Sequence, residues 1–174
     1  MPPARLTRGV GDDRNARHPG HLSPARRGPL LSFQSTMTLT VGWGDCDPAG
    51  IVFYPNYFRW FDDASWRLFE AGGLPMDGMA KHYDMLGLPL VDARASFRAP
   101  CWRGDRLEIV SHVATWHRKT LDIEHRVMNG GELAVEGREV RFWGLPHPDR
   151  PGRLKAGEIP VEVKAQFGAV ERKA

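Results

Sequence analysis

The sequence predicts an α+β fold in which one long apolar helix is wrapped by a curved antiparallel sheet. Three observations predict it. Tyr57, Phe61, Ala64 and Leu68 recur at helical spacing between Pro55 and Gly72-Gly73. Leu121, Ile123, His125 and Val127 alternate with Asp122, Glu124 and Arg126, the period-two pattern of a half-buried strand. Asn129-Gly130-Gly131 then supplies the residues of a tight hairpin.

From the N-terminus, residues 1–36 hold Pro2, Pro3, Pro19, Pro24 and Pro29 and almost no periodic apolar pattern. Such a segment cannot bury enough surface to offset its ordering entropy, so disorder is expected there. Being Arg-rich and acid-poor, it faintly resembles an organellar transit peptide. The plainer reading is an upstream extension, with Met37 as the start. The domain is expected over residues 37–168, followed by a short tail, 169–174.

Thr38–Trp43 reads as a strand rich in Thr and Val, and Gly44–Gly50 as a turn. The helix is expected over Pro55–Ala71. Pro55 suits the first helical position, where its missing N–H removes nothing, and Gly72 and Gly73 supply a left-handed stop. Phe58, Trp60 and Phe69 widen the apolar stripe beyond that of a surface helix, so the helix must be covered on several sides. Leu74–Asp84 reads as a variable connection. Leu88–Phe97, Asp105–His117, Thr120–Met128 and Leu133–Trp143 then read as strands, and a sheet curved around the helix is the economical way to bury it.

A chain of 174 residues suits one domain. No apolar run approaches the roughly 20 residues needed to cross a bilayer. The net charge of +3 belongs to the tail: residues 1–36 carry six Arg against two Asp, which leaves the remainder at −1. A nucleic-acid partner therefore gets little support. Cys46 and Cys101 are too few for a disulfide framework or a Cys-rich zinc site, and no secretory signal is visible, so a cytoplasmic address is expected.

The chemistry concentrates in Gly44-Asp45-Cys46-Asp47-Pro48-Ala49-Gly50, a turn that feeds the helix start. Backbone N–H groups of a first helical turn are unpaired, and the dipole is positive there. They can stabilise negative charge developing on a carbonyl oxygen, while a nearby carboxylate attacks the carbonyl or activates water. The same residues also read as plain Asx-type turns made by Asp45 and Asp47. A phosphatase-like Asp-x-Asp metal site would need further acids and a phosphate-loop Lys that are not evident. Cys46 as nucleophile would want a His base, and nothing in the sequence places His82, His112, His117 or His125 beside it.

The run from Gly44 to Trp60, GDCDPAGIVFYPNYFRW, closely resembles the 4-hydroxybenzoyl-CoA thioesterase family of hot-dog proteins. The likeness continues more loosely through Gly73-Leu74-Pro75, Leu88-Pro89-Leu90-Val91, Ala95-Ser96-Phe97 and Trp116-His117-Arg118-Lys119, and covers about Met37 to Phe167. It implies a hot-dog dimer, often paired into a tetramer, with active sites at the subunit interface. It implies an acyl-CoA substrate, with coenzyme A as part of that substrate rather than a cofactor, and no metal. The family's catalytic acid matches Asp47, not Asp45, acting as nucleophile through an acyl-enzyme anhydride or as general base. The N–H matching Tyr54 would polarise the thioester carbonyl. Asp62 matches the acid that contacts the phenolic hydroxyl of the 4-hydroxybenzoyl group. Arg118 and Lys119 match the basic cluster that holds the phosphates of CoA.

Beside this stand simpler readings of the same residues. Asp62 could be a solvated acid paired with Arg59 or Arg67, and Arg118 and Lys119 an ordinary charged turn. Arg138 is a candidate for one more phosphate contact. His117 stands where the family's cluster can carry Arg, Leu88 where relatives can carry a hydroxyl, and Met76–Asp84 differs freely. The expected activity is hydrolysis of an aromatic acyl-CoA. The alternatives are a short- or medium-chain acyl-CoA thioesterase and a non-catalytic acyl-CoA binding protein. A hot-dog hydratase would want an Asp/His motif that is not seen.

Overall fold

The apolar stripe forms helix α1, Pro55–Ala71, and buries Tyr57, Trp60, Phe61, Ala64, Ser65, Leu68 and Phe69. Pro55 sits in its first turn and Tyr54 is its N-cap. At the other end Gly73 takes φ +79, a backbone geometry that favours glycine, and Leu74 N–H returns to the Phe69 carbonyl at 2.9 Å. The chain is described here by a computed structural model covering residues 33–168. Residues 1–32 and 169–174, on which most of the expected N-terminal extension and the C-terminal tail fall, lie outside the described residues.

Five strands cover the helix: β1 (Gln34–Thr40), β2 (Leu90–Phe97), β3 (Arg106–Trp116), β4 (Thr120–Asn129) and β5 (Glu132–Phe142). Their order is β1-β3-β4-β5-β2, and every neighbouring pair is antiparallel. Register shifts at Leu90/Asp92, Val113/Thr115 and Val127/Met128 mark bulges, which bend strands and increase twist. The expected hairpin joins β4 to β5, with Gly130 and Gly131 at φ +59 and +89. The core runs along the helix in two clusters. Tyr57, Trp60, Phe61 and Ala64 pack with Met37, Leu107, Ile109, Val127 and Val135, and Leu68 and Phe69 pack with Val113, Leu121, Ile123 and Trp143. The α+β architecture read from the sequence is the one found.

Several boundaries differ from expectation. Strand β1 begins at Gln34, ahead of Met37, because Gln34, Ser35 and Thr36 pair with His112, Ser111 and Val110 of β3. It also stops at Thr40. The connection Leu74–Asp84 contains a second helix, α2 (Met76–Tyr83), anchored by buried Met79. Beyond Trp143 the chain adds a small hairpin, β6 (Gly144–Pro146) with β7 (Leu154–Ala156), and a last helix, α3 (Val161–Gln166). Val163 of α3 and the adjoining Phe167 complete the second core cluster. Among the described residues no helix is long and apolar enough to cross a membrane.

Candidate active site

The acidic loop is a tight reversal pinned at both ends. Cys46 and Val52 face each other in an antiparallel bridge, Asp47 N–H donates to the Ile51 carbonyl at 2.9 Å, and Phe53 N–H donates to that of Asp45 at 2.8 Å. Val52 N–H in turn donates to Cys101 O at 2.9 Å, fastening the loop to the segment before β3. The two acids have different employment. Asp45 accepts from Gly42 N–H at 2.8 Å through one oxygen and from Arg59 at 3.1 Å through the other. Among the described residues the Asp47 carboxylate accepts only from Ala49 N–H, at 2.8 Å through Oδ1. That bond is the Asx-type turn of the plainer reading, yet it uses one oxygen. Among the described residues Oδ2 of Asp47 has no donor.

Asp47 lines two clefts. One, of about 420 Å³, is lined by Asp47, Ile51, Tyr54, Tyr57, Phe97 and Cys101, among others. The second, of about 680 Å³, adds Trp43, Trp102 and Arg103. Tyr54 shares the first cleft with Asp47, and no acceptor among the described residues takes its N–H. Its neighbour Pro55 has none to offer, so a single bare amide stands at this helix start, where the dipole is positive. An unengaged carboxylate oxygen and an unengaged amide on one apolar cleft are suited to attack on a carbonyl carbon. Burial, helped by a hydrogen bond to Cys101, pushes the Tyr57 phenol far above its ordinary range, so it stays protonated. Burial likewise raises the Cys101 thiol. Cys46 donates to the Gly42 carbonyl at 3.7 Å, and among the described residues no histidine lines either cleft.

Asp62 does not line these clefts. It sits two turns down α1 with 53 % of its side chain exposed, and its partner is neither Arg59 nor Arg67. Arg141 of β5 donates to its Oδ1 at 2.6 Å. Arg141 is itself buried and bound to Glu139 through Nε and Nη2, both at 2.9 Å, and to the Leu88 carbonyl at 3.0 Å. Glu139 further accepts from Ser65 at 2.7 Å and contacts His125 at 3.4 Å, and His125 meets Ser111 at 2.8 Å. Burial alone would raise the Glu139 carboxyl. The hydrogen bonds from His125, Arg141 and Ser65, with the Arg141 charge, outweigh it and hold the group at about 2.

The candidate phosphate contacts lie elsewhere again. Arg118 and Lys119 form the β3–β4 turn. Arg118 pairs with Glu158, both largely exposed, and Lys119 has no carboxylate partner among the described residues. Arg138 donates to Asp122 at 2.8 Å, and the same Asp122 oxygen meets His117 at 3.3 Å. Arg138 also lines a shallow cavity of about 320 Å³ with Arg94, Glu124, Arg126 and Glu136. The loop that holds Asp47 is fastened near the start of β3 and the basic turn follows its end. At about 3.3 Å per residue, those points are roughly 30 Å apart along the strand.

The Ser65–Ser111–His125–Glu139–Arg141 network and the Tyr57–Cys101 hydrogen bond are not among the sites expected from the sequence. One signal was available. Register places Glu139 opposite Ile123 and Arg141 opposite Leu121, two inward positions of β4, so both charges break the apolar phase of β5.

Residues 41–167 match the model of the thioesterase-like superfamily. The chain is 35% identical over 133 residues to 4-hydroxybenzoyl-CoA thioesterase of Pseudomonas sp. strain CBS-3, an alignment spanning 73% of this chain and 92% of that protein. Its fold is similar to that of a mutant 4-hydroxybenzoyl-CoA thioesterase complexed with 4-hydroxybenzoyl-CoA, with TM-score 0.71 and 33% identity over 78% of this chain and 99% of the other. It is also similar to a gentisyl-coenzyme A thioesterase, with TM-score 0.65 and 30% identity over 78% of this chain and 100% of the other.

Proposed function

Because the chain belongs to the thioesterase-like superfamily and is an acyl-CoA thioesterase of the hot-dog fold, we propose that it hydrolyses an aromatic acyl-CoA of the 4-hydroxybenzoyl or benzoyl type to the free acid and CoA. The observation that carries this reading is the pairing, on one cleft, of an Asp47 oxygen and a Tyr54 N–H that no described residue engages. The thioester carbonyl oxygen rests on the Tyr54 amide, which strengthens its bond as charge develops. Oδ2 of Asp47 then either bonds to the carbonyl carbon or takes a proton from the water that does. In the first case the carbon–sulfur bond breaks to leave an Asp47–acyl anhydride and CoA thiolate. Water then cleaves the anhydride, freeing the acid and the Asp47 carboxylate and supplying the proton that makes CoA a thiol. In the second the water oxygen stays on the acyl carbon, the carbon–sulfur bond breaks, and the proton taken by Asp47 passes to the departing sulfur. Val52, Tyr57, Phe97 and Cys101 give the acyl group a largely apolar wall.

The complete site takes more than one copy of the chain, as a dimer or tetramer. Distance supports this: Arg118 and Lys119 sit far along β3 from Asp47, and Asp62 lies roughly 12 Å along α1 from Tyr54 at 1.5 Å per residue. A neighbouring copy brings Asp62 to the acyl group, and Arg118, Lys119 and Arg138 to the phosphates of CoA. His117 shares Asp122 with Arg138, so the residue standing in place of a family arginine helps orient one of those cations.

The test is a thiol-release screen of purified protein across aryl, short-, medium- and long-chain acyl-CoA esters. Aryl esters are expected to give the highest kcat/KM. Preference for an aliphatic ester would overturn the aromatic assignment, and saturable CoA binding with no thiol release from any ester would overturn the catalytic one.

A further inference from the structure

A buried ion pair on β5, Arg141 with Glu139, reaches a half-exposed acid on α1. The Arg141 side chain is 5% exposed and that of Glu139 2%. Removing two such charges from water is expensive, and apolar residues of similar volume often stabilise a fold as well or better. What apolar residues cannot do is fix a third charged group. Arg141 spends Nε and one Nη2 proton on Glu139, Nη1 on the Leu88 carbonyl, and the remaining Nη2 proton on Oδ1 of Asp62. Its planar fork is locked from three sides, so Asp62 is held to one position although 53% of its side chain is exposed.

Oδ2 of Asp62 has no donor among the described residues. A fixed carboxylate oxygen can only accept, so the group that meets it must be a donor. We propose that Arg141, clamped by Glu139, is a positioning residue that holds Asp62 as acceptor for a hydroxyl on the acyl group, and thereby sets a preference for hydroxylated over plain aryl thioesters. The proposal rests on the thioesterase activity and on the place of Asp62 in a shared site given above. It adds the residue that makes Asp62 selective. Ser65, donating to the Glu139 oxygen that also receives Arg141 Nε, ties the same clamp to the helix bearing Asp62.

The experiment compares kcat/KM for 4-hydroxybenzoyl-CoA and benzoyl-CoA in the wild type, Arg141→Met, Arg141→Lys, Asp62→Asn and the Asp62→Asn/Arg141→Met double variant. A hydrogen bond to a charged acceptor is worth about tenfold or more in discrimination. The wild type is expected to favour the hydroxylated ester by at least that factor, and Arg141→Met to lose most of it. Arg141→Lys, which cannot reproduce the fork, is expected to fall between. In the double variant, adding Arg141→Met should change the ratio no further than Asp62→Asn alone. If Arg141→Met does not fold, Arg141→Lys and Asp62→Asn carry the same reading. A folded Arg141 variant with the wild-type ratio, or independent additive effects in the double variant, would overturn the positioning role while leaving the thioesterase intact. A wild type that releases thiol from neither ester would instead defeat the aromatic assignment, and the inference with it.

Discussion

Ala49 donates its N–H to Oδ1 of Asp47 at 2.8 Å, and the second oxygen of that carboxylate takes no bond from any described residue. One carboxylate therefore shapes the loop and keeps a free oxygen on the cleft it shares with Tyr54. An amide at position 47 preserves the acceptor for Ala49 and removes the nucleophile or base. Asp47→Asn should keep the melting temperature within a few degrees and lower kcat by about 10²- to 10⁴-fold, the usual worth of a positioned base or nucleophile. Thiol release and thermal unfolding measured on one preparation check it. Retained activity in a folded variant would remove Asp47 from the mechanism.

Arg118 and Lys119 concern binding rather than chemistry. The Arg118–Glu158 pair is largely exposed, so it contributes little to stability and yields readily to a phosphate. Arg118→Ala with Lys119→Ala should raise KM for every acyl-CoA ester alike, with kcat changed less. The difference from wild type should shrink at high ionic strength, as screened exposed charges require. An unchanged KM at low salt would send the phosphates elsewhere.

Much of this was readable in the chain because the governing signals were local. Helix α1 announced itself through its stripe, Pro55 and Gly72-Gly73, and the β4–β5 hairpin through its glycines. The acids Asp45 and Asp47 were visible but not separable from composition, since what divides them is partnership: Gly42 and Arg59 use both oxygens of one, and Ala49 uses a single oxygen of the other. Helix α2 leaves no periodic signal in the sequence, because its eight residues include Gly78 and carry one fully buried apolar side chain, Met79. The Asp62–Arg141 bond joins residues 79 apart in sequence, and no short-range rule reaches that far. Strand β1 starts at Gln34 for a similar reason, its first residues being held by β3 rather than by their own pattern.

Gly137 shows how closely the helix is packed on the sheet. A Cβ built there would come within 2.5 Å of the Phe61 ring, which stacks on His125 at 4.7 Å between centroids. Fully buried Phe61 cannot move aside without disturbing that stack and the polar network behind it. Gly137→Ala should therefore destabilise the fold by about 1–3 kcal/mol, the range for overpacking a well-filled core. Urea unfolding measures it, and a variant as stable as wild type would mean that α1 can lift off β5.

Acid stability tests the charge on Glu139. In the fold its carboxyl is held at about 2, below the ordinary 4.5, by His125, Arg141 and Ser65 against the opposing effect of burial. A depressed carboxyl means that the folded state favours the ionised form. Its stabilisation is complete above the unfolded value near 4.5. As pH falls through the window down to about 2, the unfolded chain takes up the proton first and the stabilisation drains away. Other carboxylates titrate in the same range, so the informative quantity is the gap between wild type and Glu139→Gln. That variant cannot offer Arg141 a charged partner, and should be less stable at neutral pH. Its deficit should narrow steadily between pH 4.5 and 2 in urea unfolding. A gap that stays constant across the window would mean that Glu139 is not the ion that holds Arg141 in place.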